Sequence, residues 1–171
     1  NKFSDKKRLF LIINVCLFSF LGSTMGILEE MVPLILIFVP LSYRMGWDSI
    51  TGAAIPFLSS GFGFAAATLN PFTIGTAQKL ADVPVFSGLE LRVPFFLLST
   101  LSVILYLLYY TNKIEKNPEK SPTYEMDKKI KESMSLDTTV SEDSMLMAPV
   151  YWIVFCFILI AGVVIGGTQV Q

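Results

Sequence analysis

The sequence contains no histidine and only two cysteines in 171 residues, and its charged residues make up 16% of the chain. Without histidine there is no imidazole proton relay, no Ser-His or Cys-His nucleophile pair, and none of the commonest metal ligand. Neither G-x-G-D nor H-E-x-x-H occurs, so an intramembrane hydrolase has nothing to work with and no enzyme is expected. Cys16 and Cys156 both lie inside apolar runs, where free cysteine behaves as a small hydrophobe, and both are expected to be buried and inert. The net charge of −1 leaves no basic footprint, so no nucleic-acid partner is expected.

What is abundant is apolar surface. Hydrophobic residues make up 53% of the chain and aromatic residues 13%, with a mean hydropathy of +0.60. That is an all-α integral membrane composition, with the lipid bilayer as a necessary partner. The basic start (Lys2, Lys6, Lys7 and Arg8, within residues 1–8) and the apolar run after it resemble a signal peptide. No A-x-A-like site follows, however, and hydrophobicity resumes after Glu30.

Gly22-Ser23-Thr24-Met25-Gly26-Ile27-Leu28-Glu29-Glu30 interrupts that apolar character with hydroxyls, glycines and two carboxylates. Ionisable groups at membrane depth cost roughly 2.5 to 3.5 kcal/mol each and usually face a cavity. Leu9 to Gly22 is about 21 Å as a helix, and Met25 to Leu41, with Pro33 and Pro40, about 25 Å, both short of the ~30 Å hydrocarbon core. Residues 9–41 are therefore expected to form a re-entrant helical hairpin with both ends on one side. Trp47 and Tyr43 are expected at headgroup level, with Asp48 or Ser49 capping the next helix.

Residues 50–80 form a second apolar run, broken at Thr68-Leu69-Asn70-Pro71. Proline supplies no backbone N–H and biases the preceding residue away from the α region, so a discontinuous transmembrane helix is expected, with an ordinary proline kink as the alternative. Residues 91–110 read as a spanning helix closed by Tyr106, Tyr109 and Tyr110. Residues 111–144 read as a cytoplasmic linker, with one solvated helix over Asp127 to Met134. Residues 145–168 open a further spanning segment. Of the thirteen lysines and arginines, all but Lys79 and Arg92 fall on one side if residues 9–41 are a hairpin, which favours the hairpin over a single long crossing.

Glu29, Glu30, Ser23, Thr24, Thr68, Asn70, Pro71, Thr73 and Thr76 are the candidate substrate- and ion-binding residues. An unpaired, desolvated glutamate either holds a proton or pairs with a cationic amine or guanidinium, the alternative being a salt bridge to a segment outside this chain. The neutral oxygens of Ser23, Thr24, Thr68 and Asn70 suit Na⁺, and freed helix N-termini suit a carboxylate. Taken singly, each hydroxyl more often bonds its own helix. No resident cofactor is expected, and coupling to Na⁺ or H⁺ is left open.

The stretch Gly22 to Glu30, the following Pro33, and Ala65-Ala66-Ala67-Thr68-Leu69-Asn70-Pro71-Phe72-Thr73-Ile74-Gly75 resemble the YfcC family within the C4-dicarboxylate anaerobic carrier group of the ion transporter superfamily. The resemblance implies a secondary transporter of the bacterial inner membrane, exchanging basic amino acids such as arginine and ornithine. A Na⁺- or H⁺-coupled C4-dicarboxylate carrier is the alternative, and an inactive structural remnant a third. It also implies that Ser23 and Thr24 match a hairpin tip, that Thr68, Asn70 and Pro71 match a helix break, and that the chain is half of an inverted-repeat transporter. The chain begins at Asn1 rather than Met and stops just past an apolar run, as a fragment would. Expected partners are an amino acid or dicarboxylate substrate and the second half of the carrier, with a homodimer left open.

Overall fold

A computed structural model describes residues 2–136. The chain divides into two compact units, Asn1–Lys131 and Glu132–Gln171, and the described contacts belong to the first. The expected spanning segment at residues 145–168 lies outside the described residues, as does Cys156. All described secondary structure is helical: α1 (Lys2–Met25), α2 (Val32–Arg44), α3 (Ser49–Ala65), α4 (Thr76–Leu80), α5 (Leu89–Lys116) and α6 (Tyr124–Leu136). Short 3-10 turns at Glu29–Met31 and Pro118–Lys120 and a π turn at Pro71–Gly75 join them.

The chain reverses between α1 and α2. Gly26, at φ +75°, takes the left-handed conformation that ends α1, and Pro33 opens α2, where its missing N–H costs nothing. Phe10 of α1 stacks on Phe38 of α2 and Phe18 meets the same ring edge-on, and the Lys7 ammonium donates to the Met45 carbonyl, so the start of α1 lies beside the end of α2. Residues 9–41 thus form a helical hairpin whose two open ends meet. Its arms are not both short, however. α1 is 24 residues, about 36 Å, and Lys6–Met25 is long and apolar enough to cross a membrane, so length alone does not exclude a crossing. Only α2, at 13 residues or about 20 Å, has the half-length expected of an arm.

α3 runs parallel to α1 and packs on both arms. Small residues carry that contact: a side chain at Gly22 would overlap the Ser60 carbonyl oxygen, one at Gly63 the Ser19 carbonyl oxygen, and one at Gly52 the Val39 backbone. Ser19 donates to the Ser59 carbonyl at 3.1 Å across the same seam. Leu11, Val15, Phe18, Phe38 and Ile55 fill the core between these helices. α5 returns antiparallel to α3, with Ser99 reaching the Phe62 carbonyl and Tyr110 reaching Asp48. It extends from Leu89 to Lys116, longer at both ends than the expected 91–110, and it too is apolar and long enough to span.

One further expectation needs correction. Cys16 is exposed on the flank of α1 rather than buried. Trp47 is 2% exposed within the protein, and its indole Nε1 donates to Glu115 at 2.9 Å. The outer faces of α2 and α5 remain apolar and uncovered among the described residues, with Leu36, Leu91 and Leu98 among the most exposed side chains. A contiguous face of this kind is what lipid or further protein covers.

Candidate functional site

Two polar clusters lie at opposite ends of the hairpin. The first is the tip, where α1 ends beside the break in α3. α3 stops at Ala65, and the chain resumes as a helix only at Pro71, so residues 66–70 are a true interruption rather than a kink. Pro71 sits at the first position of the new turn, and Asn70 caps it: its Oδ1 accepts from Phe72 N at 2.9 Å and Thr73 N at 3.3 Å.

The backbone freed by the break is taken up by Ser23. Its carbonyl accepts from Thr68 N at 3.0 Å and Leu69 N at 3.3 Å. Its Oγ donates to the Ala66 carbonyl at 3.0 Å, accepts from Thr68 N at 3.1 Å, and lies 2.9 Å from Thr68 Oγ1. A hydroxyl has one proton and two lone pairs. The Ser23 proton goes to Ala66, so Thr68 Oγ1 is the donor in its pair with Ser23, and Ser23 has no capacity left. Thr68 Oγ1 keeps its own lone pairs.

The Asn70 side chain is fully buried, and its orientation is fixed because two N–H groups point at Oδ1. Its amide nitrogen, Nδ2, is buried and has no hydrogen-bond partner among the described residues, and neither has Thr73 Oγ1. A buried amide donor left unmade costs about 1 to 3 kcal/mol, so these two atoms mark a place for an acceptor. The Asn70 amide packs against Gly26, where an added Cβ would stand 2.7 Å from Nδ2 and Oδ1.

The remaining expected residues divide. Thr24 Oγ1 bonds back to Phe20 O at 2.7 Å and Thr76 Oγ1 to Pro71 O at 3.2 Å, each serving its own helix. Of the four residues considered for Na⁺, Thr68 and Thr24 keep side-chain acceptor positions in this conformation, since the Thr24 hydroxyl only donates, to Phe20 O; Ser23 Oγ and Asn70 Oδ1 are engaged. Glu29 and Glu30 are exposed in the turn ahead of α2, where the Glu29 carbonyl accepts from Val32 N and neither carboxylate bonds to another described residue. They occupy the first helical turn, where carboxylates also offset the helix dipole. The structure brings Ser23, Thr68 and Asn70 together around Gly26, and leaves Glu29 and Glu30 on the outer side of the same turn.

The second cluster, at the open end, was not foreseen. Residues 111–131, expected as linker, are instead folded onto the hairpin. Asp48 is 3% exposed and accepts from Thr51 N at 2.9 Å, Thr51 Oγ1 at 2.6 Å, Tyr110 at 2.7 Å and Ser121 at 2.7 Å. Asp127, from α6, accepts from Tyr43, Ser49 N and Thr123. Burial pushes the Asp127 carboxyl up, but those donors outweigh it and hold the group below its ordinary 3.8. The Lys131 ammonium lies 4.9 Å over the Tyr43 ring. The base uses up its polar groups on itself; the tip does not.

No solved structure matches this chain. It is 35% identical over 127 residues to "Putative basic amino acid antiporter YfcC" of Escherichia coli (strain K12), covering 74% of this chain and 25% of that protein. It is 33% identical over 152 residues to an uncharacterized protein of Haemophilus influenzae, covering 85% of this chain and 30% of that one. The chain spans less than a third of the length of these relatives. The model of the DcuC family, described as C4-dicarboxylate anaerobic carrier, matches residues 1–171, so the chain belongs to a family of membrane carriers rather than enzymes.

Proposed function

We propose that this chain supplies the hairpin and broken helix of a secondary active amino-acid carrier in the bacterial inner membrane, one that exchanges basic amino acids such as arginine and ornithine. The observation that carries the reading is the buried, unpartnered Nδ2 of Asn70 at the break in α3. An amide donor in a dry site recognises an acceptor, and a solute carboxylate is the strongest acceptor available. Every amino acid brings one.

Asn70 alone does not choose between an amino acid and a dicarboxylate. Glu29 and Glu30 do. They are free of cationic partners among the described residues, and they would attract a guanidinium or ammonium and repel a second carboxylate. The relative described as a basic amino acid antiporter supports the same choice. The second reading, a C4-dicarboxylate carrier coupled to Na⁺ or H⁺, is favoured by the family description.

The hairpin enters and leaves the membrane on the cytoplasmic side in this reading, which the distribution of lysine and arginine favours. Its tip stops inside the bundle: from the level where Ser99 meets Phe62, α5 runs ten more residues, about 15 Å, whereas α3 ends three residues, about 5 Å, further on. Polar backbone at that depth is tolerated where it lines a cavity.

The test is counterflow in proteoliposomes with the full-length carrier, offering arginine, ornithine and succinate side by side. Arginine–ornithine exchange that is lost on Glu29→Gln or Glu30→Gln is the expected result. Uptake unchanged in both single variants would sink the cationic site, succinate exchange would establish the second reading, and exchange of none of the three would favour an inactive remnant.

A further inference from the structure

We infer that Gly26 is a positioning residue for the solute site: its bare Cα is the floor on which the Asn70 amide rests, and this floor aims Nδ2 at the acceptor. The inference rests on the proposed role of Asn70 and adds a residue that no ligand would touch. Three observations converge on it. Gly26 has φ +75°, so the chain turns there in a conformation that L side chains rarely adopt. The space above its Cα is filled by Asn70 and by nothing else as close: a Cβ would stand 2.7 Å from both Nδ2 and Oδ1 and 2.9 Å from Cγ. The Asn70 side chain cannot retreat, because Phe72 N and Thr73 N hold Oδ1 and the residue is fully buried.

Ser23 completes the arrangement from the backbone side. It lies three residues before Gly26, almost one helical turn, and fastens Ala66, Thr68 and Leu69 to the end of α1. The distance between the α1 terminus and the α3 break is therefore fixed by Ser23, while the tilt of the amide is fixed by Gly26. With its one donor and two acceptor positions all used, Ser23 holds the site together and does not itself contact a solute. A methyl at position 26 leaves the Ser23 bonds in place and pushes the Asn70 amide off its axis. The misaligned donor then meets the solute carboxylate poorly, and hydrogen bonds weaken steeply with angle.

The consequence is a coupling between two residues that a need for backbone turning alone would not produce. All three atoms that a Cβ at position 26 would strike are absent from alanine at position 70. The experiment is a double-mutant cycle in the full-length carrier with Gly26→Ala, Asn70→Ala and the pair. In proteoliposome counterflow, Gly26→Ala should raise the half-saturating concentration of the exchanged solute about tenfold, with the maximal rate changed far less. Asn70→Ala should do at least as much, and the double variant should be no worse than Asn70→Ala alone. Multiplying effects in the double variant, or an unchanged half-saturating concentration in Gly26→Ala, would overturn the inference.

A second measurement does not depend on any solute. The Tm of the purified carrier should fall on Gly26→Ala, and fall by clearly less when Asn70→Ala is already present. An equal fall in both backgrounds would show that only the left-handed backbone matters at position 26 and would defeat the inference. If arginine, ornithine and succinate all fail to exchange in the unmutated carrier while the Tm coupling is found, the contact stands and the assigned function falls. Should Gly26→Ala alone fail to yield folded carrier, recovery on adding Asn70→Ala supports the inference and failure to recover overturns it.

Discussion

The two ends of the hairpin are both polar and both rich in serine and threonine, with asparagine at the tip and aspartate and tyrosine at the base, yet they use those groups in opposite ways. At the base, the Asp48 carboxylate collects four donors and Asp127 collects three, tying α2, α3, α5 and α6 together. At the tip, Ser23 is saturated, but the Asn70 amide nitrogen and Thr73 hydroxyl beside it have no partner. A buried polar group that is satisfied reports architecture, whereas one left unsatisfied within an otherwise well-bonded cluster reports a missing guest. The difference separates the clamp from the proposed site.

The sharpest way to break this comparison is at Asn70. Asn70→Asp keeps the Oδ1 cap and the shape while replacing the Nδ2 donor with a charged oxygen, so the carrier that folds should lose exchange by about a hundredfold or more. Retained exchange would mean that the unpaired donor has no function. The reverse pattern is expected at Asp48. Asp48→Ala strands the Tyr110 and Ser121 hydroxyls and Thr51 N in a buried pocket, costing about 3 kcal/mol of stability, read as a lowered Tm, while any carrier that remains folded keeps its affinity for solute.

A smaller effect should follow pH. The Asp127 carboxyl is held below 3.8 in the folded state, so its contribution to stability is fully present at neutral pH. It is lost only as the pH falls below 3.8 and through the folded-state value. Melting curves of wild type and Asp127→Asn between pH 7 and 3 should therefore converge at the acid end, and parallel curves would remove Asp127 from the clamp. The smallest change is Trp47→Phe, which deletes one indole hydrogen bond to Glu115 while retaining most of the ring, at about 1 kcal/mol by thermal unfolding.

How much of this could be read from the residues alone depended on whether the cause was local. The break at Asn70-Pro71 was legible because proline's missing N–H and the Asn cap act within three residues. The cap at Asp48 was legible for the same reason, through Thr51. The clamp was not: Tyr43, Asp48, Tyr110, Ser121 and Asp127 are separated by up to 84 positions, and a mixed-charge stretch after a spanning helix looks like linker until its partners are known. The indole bond of Trp47 to Glu115, 68 positions away, was not legible for the same reason. Ser23 was found at the tip by its setting, but its saturation could be seen only with Ala66 and Thr68 in place. Gly26 left one trace that was available, its spacing of four from Gly22, a small-residue pattern that marks close backbone approach in membrane helices.

The contact between α1 and α3 bears on movement. Gly22 and Gly63 each accept a carbonyl of the opposite helix into the space a side chain would fill, and the two contacts sit on neighbouring turns. Helices meshed in this way cannot slip past each other by a turn without first lifting apart, which would strip Ser23 from the break and Ser19 from Ser59. The hairpin's first arm and the broken helix are thus geared together, and any movement of one has to carry the other with it.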